Sequence, residues 1–322
     1  MSFIFVNHIT IETQSPMAIG TGEREVGFDN QLVRDINNLP YIPSSTISGV
    51  WHHLTLDAVG QALTHKWFGQ LEHKSKLAIS HGYLLDSQQQ IVKGLVTQER
   101  IQDDVLLAFL QQQKPMHRER VRLNDRGVAA DKGKFDQILL PTGVRFRVTL
   151  QWQGDSEQDL KEFQSLISLW SNRQFAFGSS TTNGLGQVKI IGQCSQQIKL
   201  TNNPLAGKQL QASLNEYIAQ NISHSTNDTL FAQLSLKASG TWRSGQGTQH
   251  LSDEGASIDA DIITHSEPQI VWNNQGASIQ QKIPVLQAST YKALSPTDSP
   301  IICVAYKVIG QRHWLIQVKK NG

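Results

Sequence analysis

The sequence predicts a mixed α+β fold, and three observations carry that expectation. Residues 3–11 and 144–152 alternate apolar and polar side chains, the period of a half-buried strand. Residues 44–65 and 157–170 repeat apolar side chains at helical spacing. A glycine-bearing loop over 178–186 separates the second helix from one more strand. The chain has 322 residues, enough to bury a sizeable core in one large or two smaller domains.

Each element follows in chain order. The first strand carries Phe3, Phe5, Ile9 and Ile11, with Asn7 interrupting the apolar run. Residues 15–39 are polar and contain Gly20, Gly22 and Gly27, which reads as a functional loop. Pro40-Tyr41-Ile42-Pro43 holds the chain extended, and Ser44 or Ser45 is placed to cap a helix. Ile47, Val50, Trp51, Leu54 and Ala58 give that helix an apolar face, and it is expected to run to His65 before Gly69. Residues 76–85 read as a second strand and 103–112 as a short helix. Residues 118–140 read as an extended arm or hairpin, turned at Gly127 and Gly133. Strand 144–152 follows, with Val144, Phe146, Val148, Leu150 and Trp152 on one face. Helix 157–170 carries Leu160, Phe163, Leu166, Ile167 and Trp170 in register, and a strand is expected over 187–191. This order approaches a ferredoxin-like βαββαβ unit with insertions.

The organisation expected is a first domain over 1–192, a polar linker over 193–227 and a smaller C-terminal α+β domain over 228–322. In the last, 230–238 alternates, 241–247 is a Gly/Ser loop, and 284–294 is expected to open a helix. Trp51, Trp67, Trp152 and Trp170 sit at amphipathic positions and belong to the core. Trp242 lies in the Gly/Ser loop and is the better candidate for stacking on a base.

Composition narrows the function classes. Hydrophobic residues make up 39% and charged residues 17%, with no window apolar enough for a membrane span. The N-terminus opens on an apolar run without a basic leader, so it reads as a strand and not as a signal peptide. Cys194 and Cys303 are far apart, so no disulfide framework is expected, and a cytoplasmic setting is. His52, His53, His65, His73 and His81 crowd one region without a thiolate anchor, and they read as solvated or stacking groups, not zinc ligands. The net charge is only +2. Its distribution is uneven, for Arg118, Arg120, Arg122, Arg126, Lys132 and Lys134 gather on the arm. Such a basic stripe is the electrostatic footprint of phosphate contacts.

Three segments bear on function. A helix N-terminus at Ser44 and Ser45 offers unpaired amide protons to an anion. The loop with Gly178, Gly184 and Gly186 allows close backbone approach, although it lacks a dinucleotide fingerprint. The third segment is the basic arm. Together they resemble the RAMP superfamily of CRISPR-associated proteins, most closely the repeated backbone subunits of type III effector complexes. The segments that carry the resemblance are Pro43-Ser44-Ser45-Thr46-Ile47-Ser48-Gly49, Trp67-Phe68-Gly69, Arg120-Val121-Arg122-Leu123-Asn124-Asp125, Pro141-Thr142-Gly143-Val144-Arg145-Phe146 and Gly184-Leu185-Gly186.

The resemblance spans roughly residues 1–192. It implies a ferredoxin-like (RRM-like) RAMP domain whose job is to bind CRISPR RNA and hold it extended for pairing. The implied partners are CRISPR RNA, target RNA or DNA and other effector subunits, with no membrane. It also selects Asp29, in Phe28-Asp29-Asn30-Gln31-Leu32-Val33-Arg34-Asp35, as the counterpart of an aspartate that cleaves target RNA. A carboxylate there would hold a hydrated Mg²⁺ near a phosphate, and Asp35 is expected to pair with Arg34 or another neighbour. The alternatives are therefore a metal-dependent endoribonuclease acting through Asp29, and a single-copy structural cap in which residues 228–322 block polymerisation along the RNA; the resemblance also allows that region to be a partial second RAMP module.

Overall fold

The computed structural model describes residues 3–20, 31–124, 126, 128–154, 156–171, 175–199, 230–236, 248–250, 262–263, 267–286, 301–307 and 314–319. The chain opens with β1 (Phe3–Thr13), then α1 (Ser44–Val59), α2 (Gln61–Phe68), β2 (Leu77–Ile79) and β3 (Tyr83–Leu84). Two short helices follow, α3 (Gln98–Asp103) and α4 (Val105–Gln111), and then the hairpin of β4 (Met116–Leu123) and β5 (Ala129–Leu139). β6 (Arg145–Gly154), α5 (Glu157–Ser171), β7 (Phe175–Ala176) and β8 (Gln187–Lys199) complete the first unit. Beyond it lie β9 (Leu230–Leu236), β10 (Thr248–His250), β11 (Ile262–Ile263), β12 (Glu267–Asn273), β13 (Gly276–Leu286), β14 (Ile301–Lys307) and β15 (Trp314–Lys319).

The result is a mixed α+β protein around an antiparallel sheet ordered β2-β6-β1-β8-β7, with β3 also paired to β6. β1 is central, and both its faces are buried. Phe5, Ile9 and Ile11 align with Trp152, Val148 and Phe146 of β6 on the face the helices cover. The opposite face carries His8 and Thr10 beside Thr149 and Arg147. Trp51 of α1 stacks on Trp170 of α5 at 4.1 Å, and Trp67 meets Trp152 edge-on. All four of these tryptophans are core residues, as expected. Such ring pairs contribute about 0.5–1.5 kcal/mol beyond the area they bury.

Several expected elements differ in detail. The helix beginning at Ser44 breaks at Gly60, whose amide closes α1 onto Leu56 before α2 starts. Ala58 is exposed, and Thr55 is buried in its place, its hydroxyl bonded to the Trp51 carbonyl. Residues 76–85 form two short strands instead of one, because Gly82 leaves β6 to pair with Ile42. The short helix expected over 103–112 is two, α3 capped by Thr97 and α4 by Asp104, whose carboxylate accepts the Leu106 and Leu107 amides.

β8 does not stop at residue 191. It continues to Lys199, pairing with β1 back to Phe3, so the first residues of the expected linker are strand. Pro284 lies in β13, not at the start of a helix, with Thr248 of β10 across from it. The remainder of that expected helix, most of the linker, the Gly/Ser loop over 241–247 and Trp242 lie outside the described residues.

The β12–β13 hairpin packs onto the first unit. The Ile270 amide donates to the Thr142 carbonyl at 2.8 Å, and Ile270 is 2% exposed within the main core. Gly143 permits this approach: a Cβ there would lie 2.0 Å from the Ile270 carbonyl oxygen. The Trp272 indole donates to the Gly143 carbonyl at 2.7 Å.

Candidate nucleic-acid interface

One end of the sheet collects the segments singled out from the sequence. It is the end where β1 finishes at Thr13, β6 begins at Arg145 and β8 begins at Gln187. The glycine loop folds against the segment that leaves β1: the Ser179 amide donates to the Ala18 carbonyl and the Gly186 amide to the Pro16 carbonyl, each at 2.8 Å. The base of the arm joins them, since Met17 and Leu140 exchange backbone hydrogen bonds. Ala18, Met116, Leu139 and Leu185 seal the junction with a small apolar cluster. Trp51 of α1 lies edge-on to Phe175 and Phe177, so α1 packs beneath the strand that feeds the glycine loop.

Within the loop the three glycines differ. A Cβ on Gly178 would lie 2.1 Å from the Ala18 carbonyl oxygen, and one on Gly186 would lie 1.9 Å from that of Phe177. The close approach these two allow is to the chain's own backbone. Gly184 has a φ of 80° with nothing within 4 Å of a Cβ, so its surroundings are open.

At the start of α1 the capping position is Pro43, and no side chain caps the helix. The expected serine cap is replaced, because Ser44 is already helical and its amide donates to His81 Nδ1 at 3.0 Å. Ser44 is half-buried and Ser45 exposed. One first-turn donor that was read as free for an anion is thus engaged by an imidazole.

The arm is less uniformly basic in space than in sequence. Arg118 makes a two-pronged pair with Glu267 of β12, at 2.6 and 2.7 Å. Lys134 lies 3.0 Å from Glu119, and this hydrogen bond holds the exposed Glu119 carboxyl below its usual range and raises the ammonium of Lys134. Arg122 and Arg126 are exposed near the tip. Arg120 lies on β4 and Lys132 on β5. His117, Glu119 and Asp136 bring ligand-type atoms within 4.8 Å of one another on the hairpin, where Lys134 already engages Glu119.

Around this end other charges are structural. Arg34 caps the end of α4, donating to the carbonyls of Asn38, Leu110 and Gln112 at 2.6–2.9 Å. Asp35 does not pair with Arg34 but accepts from the amides of Asn37 and Leu39 and the Asn37 side chain. Arg145 bonds Glu12 at 2.8 Å and lies 4.1 Å over the Trp272 ring. His8, buried on the sheet face opposite the helices, is pushed down to about 4, first by burial and then by Arg147. His52 stacks edge-on with His53 and Phe68, and burial is the first cause that lowers it. Asp29, and with it the expected Mg²⁺ site, lies outside the described residues. No helix among the described residues is long and apolar enough to cross a membrane.

A mixed α+β protein with polar and basic loops gathered at one end of an antiparallel sheet is the class this geometry defines. The sequence model of the RAMP superfamily matches residues 10–189, more than half of the chain, and the protein belongs to that superfamily. Among solved structures, it is similar to a chain of the type III-B Cmr-beta complex bound to cognate target RNA, at 15% identity and a TM-score of 0.43. That match covers 60% of each chain. A chain of the same complex in its apo state matches at 15% identity and a TM-score of 0.44, over 61% of this chain and 98% of that one. No curated protein matches the sequence.

Proposed function

We propose that this RAMP protein is a CRISPR RNA-binding subunit of a multisubunit RNA-guided antiviral effector complex, with a ferredoxin-like sheet that holds the guide backbone extended for pairing. One observation carries the reading: the glycine loop and the base of the basic arm meet at one end of the sheet, with α1 packed against the strand that feeds the loop. A strand of RNA laid across that end would meet exposed Arg122 and Arg126, the open backbone around Gly184 and the first turn of α1. These groups recognise phosphate and ribose without reading bases, so sequence choice would be left to the guide's own pairing.

Titration of the full chain with single-stranded RNA over a series of salt concentrations tests this. Affinity should fall with salt at a log–log slope near −0.7 per neutralised phosphate, and R122Q/R126Q should flatten that slope by about 1.4. A salt-independent affinity, or equal affinity for any polyanion, would reject the reading.

A further inference from the structure

An aromatic cleft lies beside the start of α1, where the pairing of two distant segments brings Tyr41, His81 and Tyr83 together. Gly82 and Ile42 exchange backbone hydrogen bonds at 2.8 and 3.0 Å, and this pairing sets the flanking residues side by side. His81 meets Tyr41 edge-on at 5.3 Å and Tyr83 edge-on at 6.0 Å. The rings border a cleft of about 250 Å³, backed by Pro40, Leu84 and Val92. The Lys93 ammonium stands 5.4 Å from the Tyr83 ring centre. Asp35 also lines the cleft, but both its carboxylate oxygens already accept hydrogen bonds from Asn37. Ile36, 83% exposed, also lines the cleft.

We infer that this cleft takes one nucleobase of the bound RNA strand. The inference rests on the RNA-binding reading and names what the same end of the molecule does with a base. Four features select a base. Stacking on tyrosine and histidine rings is indifferent to base identity, as a subunit that follows any guide requires. The volume is below the roughly 300–1,000 Å³ of pockets for drug-sized ligands, so a single planar ring system fits. Lys93, whose ammonium stands over the Tyr83 ring, supplies a cation for the phosphate a seated base brings with it. The wall is also continuous with the helix start, because His81 Nδ1 accepts the Ser44 amide. Accepting at Nδ1 leaves the ring proton on Nε2, a donor for a base edge.

The test compares the full chain's affinity for a short oligouridylate with that for a ribose-phosphate oligomer of equal length and charge that lacks bases. The wild type should prefer the base-bearing strand by about tenfold or more, the effect of one base–aromatic stack. Y41A and Y83A should lose that preference while retaining salt-dependent binding, and Y41F and Y83F should keep it. A second measurement needs no variant: a 4-thiouridine oligomer irradiated with the wild type should crosslink to the peptides carrying Tyr41 or Tyr83.

Equal wild-type affinity for the two strands, with RNA still bound, overturns the cleft assignment and leaves the RNA-binding reading standing. Failure to bind either strand overturns both. Alanine variants that keep the base preference but release another subunit of the complex would make the cleft a socket for a protein side chain and overturn the assignment as well.

Discussion

Gly184 and Gly186 share a left-handed backbone but stand in opposite surroundings, and alanine at each separates conformation from contact. Both have positive φ, 80° and 73°, so a Cβ at either costs roughly 1–2 kcal/mol through the backbone alone. At Gly184 nothing lies within 4 Å, and the cost ends there. At Gly186 the new methyl would lie 1.9 Å from the Phe177 carbonyl oxygen, which accepts no such approach without moving the β7–β8 pairing. Overpacking of this kind adds about 1–3 kcal/mol. G186A should therefore lose about 2–5 kcal/mol and G184A about 1–2 kcal/mol. Urea unfolding followed by tryptophan fluorescence is a suitable assay, because Trp51, Trp67, Trp152 and Trp170 are all buried. At equal folded fraction G186A should bind RNA normally, whereas a bulkier G184V should weaken binding with the fold intact. Equal stability losses at the two sites would refute the argument that Gly186 serves the chain's own packing.

Three further outcomes are expected. A double-mutant cycle with R118A and E267A should give a coupling of about 1–3 kcal/mol, because the pair is two-pronged and each side chain is less than a third exposed; additive losses would leave the hairpin's docking to Ile270 and Trp272. His8 is held at about 4 against an ordinary 6.5, so between these values the unfolded chain binds a proton that the folded chain does not. That contribution to stability is full above pH 6.5 and is lost as the pH falls toward 4, and H8Q should flatten this part of the stability–pH curve. An unchanged curve would mean that His8 is not the group titrating. D29A should abolish any Mg²⁺-dependent cutting of target RNA by the assembled complex, while guide binding stays intact and stability changes by less than about 0.5 kcal/mol; cuts that persist would exclude Asp29 from the chemistry.

Legibility in the sequence followed local periodicity. β6 alternates strictly between buried and more exposed residues, and α5 repeats Phe163, Leu166, Ile167 and Trp170 at helical spacing, so both were readable to within a residue or two. β8 was cut short because its second half is polar: Gln193, Ser195, Gln196 and Gln197 read as linker. They pair with β1, where the amide of Asn7 donates to the Ser195 hydroxyl. A strand whose partner supplies polar side chains has no apolar alternation to display. The cleft was missed for a different reason. Tyr41, His81 and Tyr83 come from segments some 40 residues apart, joined by the Ile42–Gly82 pairing and the Ser44–His81 hydrogen bond.

The charge stripe is less basic in space than along the sequence because a neutralising partner can lie far along the chain. Arg118 meets Glu267 across 149 positions, and nothing near either residue announces the pair. The same hairpin places Trp272 under Arg145 and Ile270 against Gly143. Three independent contacts thus bind β12 and β13 to the start of β6 and the base of the arm. The chemistry at each differs, being an ion pair, a cation over a ring and a backbone approach possible only at glycine. The hairpin is therefore part of the frame that orients the arm, and Arg118 and Arg145 are structural. On the RNA-binding reading proposed above, phosphate contacts from the arm would fall to its exposed tip, where Arg122 and Arg126 stand, while at the helix start the Ser44 amide is already engaged by His81. Arginine-to-glutamine changes should sort accordingly. Those at the tip should alter the salt dependence of RNA binding and leave melting unchanged, and those at Arg118 and Arg145 should lower melting first.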